Sequence, residues 1–147
     1  MSEQGNFRFC HRLRVRYSEI DGQKIVFNAH YMTYLDVAIY EYFREVLGDR
    51  EVKELAERHE FDVAVVKSTL EFKGSARFDD ILRIDGRVSR LGNSSFTFEA
   101  RIVREETGET VVTAEIIYVN YNPGLGKAQP IPEGVRKKIE AYEGMSA

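Results

Sequence analysis

The sequence has no tryptophan, one cysteine and three prolines in 147 residues, and no long apolar run. Each shortage excludes something. With Cys10 alone, no internal disulfide can form, so the fold rests on packing and a cytoplasmic setting is expected. Without about 20 consecutive apolar residues, no helix spans a bilayer. The N-terminal MSEQGNFRFCHR is polar where a secretory leader would carry its apolar segment. Net charge is small as well: 21 Lys and Arg against 24 Asp and Glu leave −3. That offers no global attraction to nucleic acid or to an anionic membrane. No G-x-S-x-G elbow, P-loop or G-x-G-x-x-G occurs, and His11, His30 and His59 lie on different predicted elements without metal-ligand spacing. No metal or redox cofactor is expected.

What is present builds a core. Hydrophobic residues make up 43% of the chain, enough for one domain over residues 1–147 to bury its own interior. Phe7, Phe9, Leu13, Val15 and Tyr17 alternate with Arg8, Arg12, Arg14 and Arg16, which predicts a strand with an apolar and a basic face. Cys10 falls in this strand as a packed thiol. The arginine ladder reads as a solvated, salt-bridged face. From about Ala29 to Leu47 the period changes. Tyr31, Tyr34, Leu35, Ala38, Tyr42 and Val46 recur at helical spacing, and Ile39, Phe43 and Leu47 widen the stripe. This predicts a long helix covered over much of its girth, with Asn28 as N-cap and Gly48 as stop. A short exposed helix follows over Asp49 to Glu60. Strands are predicted over Phe61 to Phe72, Ile81 to Leu91, Phe96 to Ile102 and Val112 to Tyr118, the last three as an antiparallel meander. Asn122-Pro123-Gly124 ends the sheet, and a terminal helix runs from Glu133 to Tyr142 behind Pro132. One long helix and one curved antiparallel sheet of about five strands must bury each other, an α+β arrangement.

Chemistry concentrates in DGQKIVFNAHY, Asp21 to Tyr31. A carboxylate precedes a helix start by a short connection. The first turn of a helix offers unpaired N–H groups and the positive end of the dipole. Such groups can hold a developing oxyanion, while a carboxylate attacks the carbonyl or activates water. A turn aspartate followed by an Asn cap accounts for the same residues without chemistry. Asp36, inside the long helix, is a rival carboxylate that also reads as an ordinary helix charge.

The stretch YSEIDGQKIVFNAHYMTYLD resembles the N-terminal signature of hotdog-fold acyl-CoA thioesterases of the 4-hydroxybenzoyl-CoA thioesterase type. Tyr17, Asp21, Ile25, Val26, Phe27, Asn28, Tyr31 and Tyr34 match its pattern, and LEFKGSARFDD and GNSSF resemble later segments. The resemblance covers nearly the whole domain. It implies a long helix wrapped by an antiparallel sheet, and a homodimer joined sheet edge to sheet edge, or a homotetramer. It implies an acyl-CoA substrate bound between subunits, with no nucleic acid or membrane partner. Asp21 would be nucleophile or general base, and the N–H at Asn28 or its neighbour the oxyanion donor. Lys24, Tyr31, Arg77 and Arg90 become substrate-binding candidates, with Lys127, Arg136 and Lys137 as further cations for coenzyme A phosphates. Two departures stand out: Ile20 replaces the usual Thr or Cys, and Lys24 replaces a Gly that suits φ > 0. Either the turn is altered and Lys24 is exposed, or Lys24 reaches the site. The alternatives are an acyl-CoA or acyl-carrier-protein binder without hydrolysis, and a hydratase or dehydratase using Asp21 with His30.

Overall fold

The computed structural model describes residues 7–145. Residues 1–6, half of the polar N-terminal stretch, lie outside the described residues. In chain order the elements are β1 (Phe9–Arg14), a 3-10 turn (Tyr17–Glu19), α1 (Asn28–Leu47), α2 (Asp49–Glu57), β2 (Val63–Phe72), β3 (Ile81–Leu91), β4 (Ser95–Arg104), β5 (Thr110–Asn122), β6 (Lys127–Ala128) and α3 (Glu133–Glu143). The main strands form one antiparallel sheet in the order β1-β3-β4-β5-β2, and β6 pairs with the end of β5. Hairpin-linked β3, β4 and β5 make the meander at its centre. β1 and β2, though consecutive strands, end at opposite edges because the helices run between them. This is the hotdog fold, a helical core half-wrapped by a curved five-stranded sheet.

The helix and the sheet hold each other through aromatic rings. Tyr34, Leu35, Ala38, Ile39, Tyr42 and Phe43 of α1 are buried, as the 3.6-residue stripe requires. With no tryptophan available, Tyr and Phe fill the wide space under the sheet. Tyr42 meets Phe9 of β1 and Phe98 of β4 edge-on, at 5.5 and 5.4 Å, and Phe43 meets Phe96 at 5.5 Å. Phe96 stacks on Tyr118 of β5 at 5.3 Å. Such pairs add about 0.5–1.5 kcal/mol each beyond the area they bury. Only one side of α1 is covered: Asp36, Val37 and Tyr40 are exposed in this chain. The helix is therefore less enclosed than its broad apolar stripe predicts.

Other differences from the sequence reading have local causes. β1 stops at Arg14, and Tyr17, in the 3-10 turn, is 75% exposed. The alternation ran past the strand because turn residues happened to continue it. Cys10 is exposed, not packed. The arginine face is salt-bridged, Arg12 to Glu105, Arg14 to Asp79 and Arg16 to Glu19. Asn28 is the first helical residue and not the cap. Phe27 holds the N-cap position in an extended conformation and makes no side-chain cap bond. Gly48 does end α1, at φ 96°.

The connection into α1 is a small hairpin arm. Phe27 N–H donates to Glu19 O at 3.0 Å, Ile20 and Val26 form a bridge, and Asp21 N–H donates to Ile25 O at 2.9 Å. Lys24 N–H donates to Asp21 O at 2.9 Å, and Lys24 has φ 66°. This is a three-residue loop with its last position left-handed, where glycine is favoured. The lysine itself takes up the conformation, and the turn needs no other shape. The arm docks on the β2–β3 connection: Val26 N–H donates to Ala76 O at 2.9 Å, and Ile25 bridges Arg77.

Two predictions test this frame. A left-handed L-residue costs about 1–2 kcal/mol, partly offset by the freedom glycine loses on folding. Urea unfolding of Lys24→Gly should therefore show stability unchanged or raised by up to about 1 kcal/mol, while β-branched Lys24→Val loses more than about 1 kcal/mol. Gly86 of β3 lies under the Phe98 ring, where an added Cβ would stand 2.3 Å from Cζ. Gly86→Ala should destabilise by about 1–3 kcal/mol, read as a lowered urea midpoint.

Candidate active site

Asp21 sits at the tip of the hairpin arm, partly exposed. Its Oδ1 accepts Gln23 N–H at 2.8 Å, an Asx turn that fixes the carboxylate's orientation. Among the described residues nothing donates to Oδ2. The arm returns to the start of α1, so residue 21 stands two pairing positions beyond residue 19, which is opposite Phe27. At about 3.3 Å per residue this sets the Asp21 backbone roughly 7 Å along the arm from the residue that pairs with the helix N-cap. There, His30 N–H donates to Phe27 O at 2.9 Å. The N–H groups of Asn28 and Ala29 have no partner among the described residues, and both residues are exposed. Two unpaired donors at the positive end of a 20-residue helix form a site for negative charge.

Beside Asp21 opens a hollow of about 510 Å³ lined by Tyr17, Ile20, Asp21, Gly22, Lys24 and Phe78. Tyr17 and Phe78 meet edge-on at 5.8 Å, and Phe78 is 51% exposed. An exposed aromatic pair next to an unpaired carboxylate can receive an apolar or aromatic group while the carboxylate works on its polar end. A second hollow, about 470 Å³, lies on the outer face of the sheet. Its carboxylates include Glu99, tied to Arg87 at 2.8 Å, and Glu71, paired with Lys73 at 3.3 Å. Its lining comes from strands and from Phe7.

The structure gathers some of the candidate residues and separates others. Asp21 and Lys24 line one hollow at the tip of the arm, the start of α1 lies at the arm's base where Phe27 pairs with Glu19, and Arg77 meets the arm through its bridge to Ile25. Lys24 makes no ion pair with Asp21 among the described residues. Tyr31 is 2% exposed, and its hydroxyl accepts Ala76 N–H at 3.0 Å. It faces the core side of α1 and ties the helix to the β2–β3 connection; in this subunit it presents no surface to a substrate. Burial raises its phenol pKa above the ordinary value. Arg90 lies near the far end of β3, nine residues from Ile81, up to about 30 Å of strand, and is not brought to this site within one subunit. Arg136 is bonded to Gly92 O and Asn93 O. His30 packs edge-on to Phe27 at 6.2 Å, and no hydrogen bond joins it to Asp21 among the described residues. Asp36, the rival, lies on the open side of α1, where partial desolvation by its neighbours raises its carboxyl pKa.

Two features near the site leave no signal in the sequence. One is the aromatic pair of Tyr17 and Phe78, 61 positions apart in number and joined only by the fold. The other is Glu19, 3% exposed, which accepts Tyr34 OH at 2.7 Å, Arg16 N–H at 2.8 Å and Arg16 Nε at 2.8 Å. A charged residue in a turn carries no sequence signal of burial.

Among the described residues no helix is long and apolar enough to cross a membrane. The family model for the thioesterase superfamily matches residues 23–111, more than half of the chain. That match begins just past Asp21. An acyl-CoA thioester hydrolase, YbgC, of Escherichia coli O6:H1 is 29% identical over 123 residues, 84% of this chain and 89% of that protein. A crystal structure of a thioesterase complexed with coenzyme A and Zn from Thermus thermophilus is 25% identical, with TM-score 0.80, over 97% of this chain and 98% of that one. A 1,4-dihydroxy-2-naphthoyl-CoA thioesterase from Synechocystis shares the fold at TM-score 0.79 with 16% identity, over 89% and 94% of the two chains. The chain belongs to the thioesterase superfamily, a family of thioester hydrolases, and is related within it to the acyl-CoA thioesterases of the YbgC type.

Proposed function

We propose that this protein hydrolyses the thioester of an acyl- or aryl-CoA at the tip of its hairpin arm, with Asp21 as nucleophile or general base. The observation that carries this reading is the pairing of an oriented, half-free Asp21 carboxylate with the unpartnered N–H groups of Asn28 and Ala29. The thioester carbonyl oxygen lies against those donors, which stabilise the charge it gains when the carbon is attacked. As general base, Asp21 takes a proton from water as the water adds to the carbonyl carbon. As nucleophile, it forms a mixed anhydride that water then opens. In both routes the tetrahedral intermediate collapses, the C–S bond breaks and coenzyme A leaves as its thiolate. Tyr17 and Phe78 receive the acyl or aryl group, and Lys24 and Arg77 supply positive charge for the coenzyme A phosphates.

The chain works as a single domain in the cytoplasm, as a homodimer formed through the β2 edge. β2 is a ten-residue edge strand with Val65, Val66 and Phe72 exposed, and the exposed side of α1 carries Val37 and Tyr40. A long apolar edge of this kind pairs with another strand unless it is blocked. An edge-to-edge partner would cover both surfaces at once.

Two experiments test this reading. A panel of acyl- and aryl-CoAs, followed by thiol release, should give turnover that Asp21→Ala and Asp21→Asn reduce by about 10²–10⁴-fold. Turnover surviving both changes contradicts the role of Asp21, and tight acyl-CoA binding without hydrolysis favours a binding protein instead. Sedimentation equilibrium should give at least a dimer for the natural chain and a monomer for Val66→Glu. A natural chain that is monomeric at micromolar concentration contradicts the β2 interface.

A further inference from the structure

The arm that carries Asp21 docks on the β2–β3 connection through Val26 and Ile25, and it is tied to α1 at Glu19. Glu19 is buried, yet it is a carboxylate, and it touches three parts of the site frame. Its Oε1 accepts from Arg16 N–H and from the phenol of Tyr34, in the second turn of α1, and its Oε2 accepts from Arg16 Nε. Its own carbonyl accepts Phe27 N–H at 3.0 Å, at the residue that opens the helix. Two positions on stands Asp21. The end of β1, the arm and the helix therefore meet at Glu19, and the offset between the Asp21 carboxylate and the Asn28 and Ala29 donors passes through it.

We infer that Glu19 is the positioning residue of the reaction: by gripping Tyr34 with its side chain and Phe27 with its backbone, it holds Asp21 at working distance from the oxyanion donors of α1. This rests on the reading of Asp21 given above. Burial alone would raise the Glu19 carboxyl pKa, but the donors of Arg16 and Tyr34 more than offset this and hold it below the ordinary carboxylate value. Burial and the Glu19 charge in turn keep Tyr34 protonated, well above the ordinary phenol value. Donor and acceptor are thus both fixed in the neutral pH range. A plain structural role would need only apolar packing here. A buried ion fully supplied with donors favours one geometry over its neighbours, and a displacement of about 1 Å at a reacting centre can cost about 100-fold in rate.

The test is steady-state kinetics on the acyl-CoA that the natural enzyme turns over fastest, well below each variant's melting temperature. Glu19→Gln puts an amide where the Arg16 donors expect oxygen, and Tyr34→Phe removes the helix end of the grip while leaving the Glu19–Arg16 pair. Each should lower kcat about 10–100-fold with KM changed less than about threefold. The double variant should be no worse than about twice the weaker single one, since both break the same link. Retained kcat with a lowered melting temperature in Tyr34→Phe, or in Glu19→Gln if it folds, overturns the inference, as do effects on kcat that multiply. Asp21→Asn is measured alongside. If it keeps natural turnover, the reading of Asp21 fails. If it loses turnover while Tyr34→Phe keeps kcat, only the role of Glu19 fails.

Discussion

The seating of α1 in the curve of the sheet is the constraint on which the rest depends. A sheet of five strands needs a thick filling, and a chain without tryptophan supplies it with Tyr42, Phe43, Phe96, Phe98 and Tyr118 in edge-on and stacked contact. Those contacts set where along the sheet the helix lies and how it is turned about its axis. They also set where its first turn emerges. Asn28 and Ala29 at that first turn are exposed, and their N–H groups have no partner among the described residues, while the core side of α1 is committed to the sheet. The core thereby places an electrostatic feature at the surface, beside the arm.

The arm keeps a carboxylate in the turn that leads to α1 without letting it cap the helix. An aspartate one residue from a helix would cap it and consume the N–H groups. Here the chain turns back on itself, so Asp21 is spent on Gln23 N–H through one oxygen and keeps the other. The turn requires a left-handed residue, and Lys24 bears that strain at φ 66°. Strained backbone is tolerated where the surroundings over-determine it. The bonds to Glu19, Ala76 and Arg77 on either side of the turn do so.

Much of the fold was legible in the sequence because it is written in periods. The helical stripe from Tyr31 to Leu47 and the alternation in β3, β4 and β5 each report one buried face, and the structure has those elements within a few residues of their expected ends. Periodicity does not say what a face meets. Tyr31 was a candidate for the substrate, but its hydroxyl belongs to Ala76, 45 positions away. Tyr17 continues an alternation whose strand has already ended. Asn28 has the composition of a cap but stands one position too late to be one. The two-residue β6 is too short to carry a pattern. At the site, the order of carboxylate, short turn and helix start was readable, as was the oddity of Lys24. The burial of Glu19 was not, because it comes from the meeting of Arg16 and Tyr34 in space. Arg90 and Arg77 looked alike as cations, and only topology separates them.

The central claim is that one carbonyl is gripped between Asp21 and the start of α1. A crystal structure with a non-hydrolysable ketone analogue of acyl-CoA measures this directly. The ketone oxygen is expected at about 2.7–3.1 Å from the N–H nitrogen of Asn28 or Ala29, and the ketone carbon about 3–3.5 Å from an Asp21 oxygen or from a water that Asp21 holds. A ketone seated against Asp36, or in the hollow on the outer face of the sheet, with Asp21 left facing solvent, would contradict it.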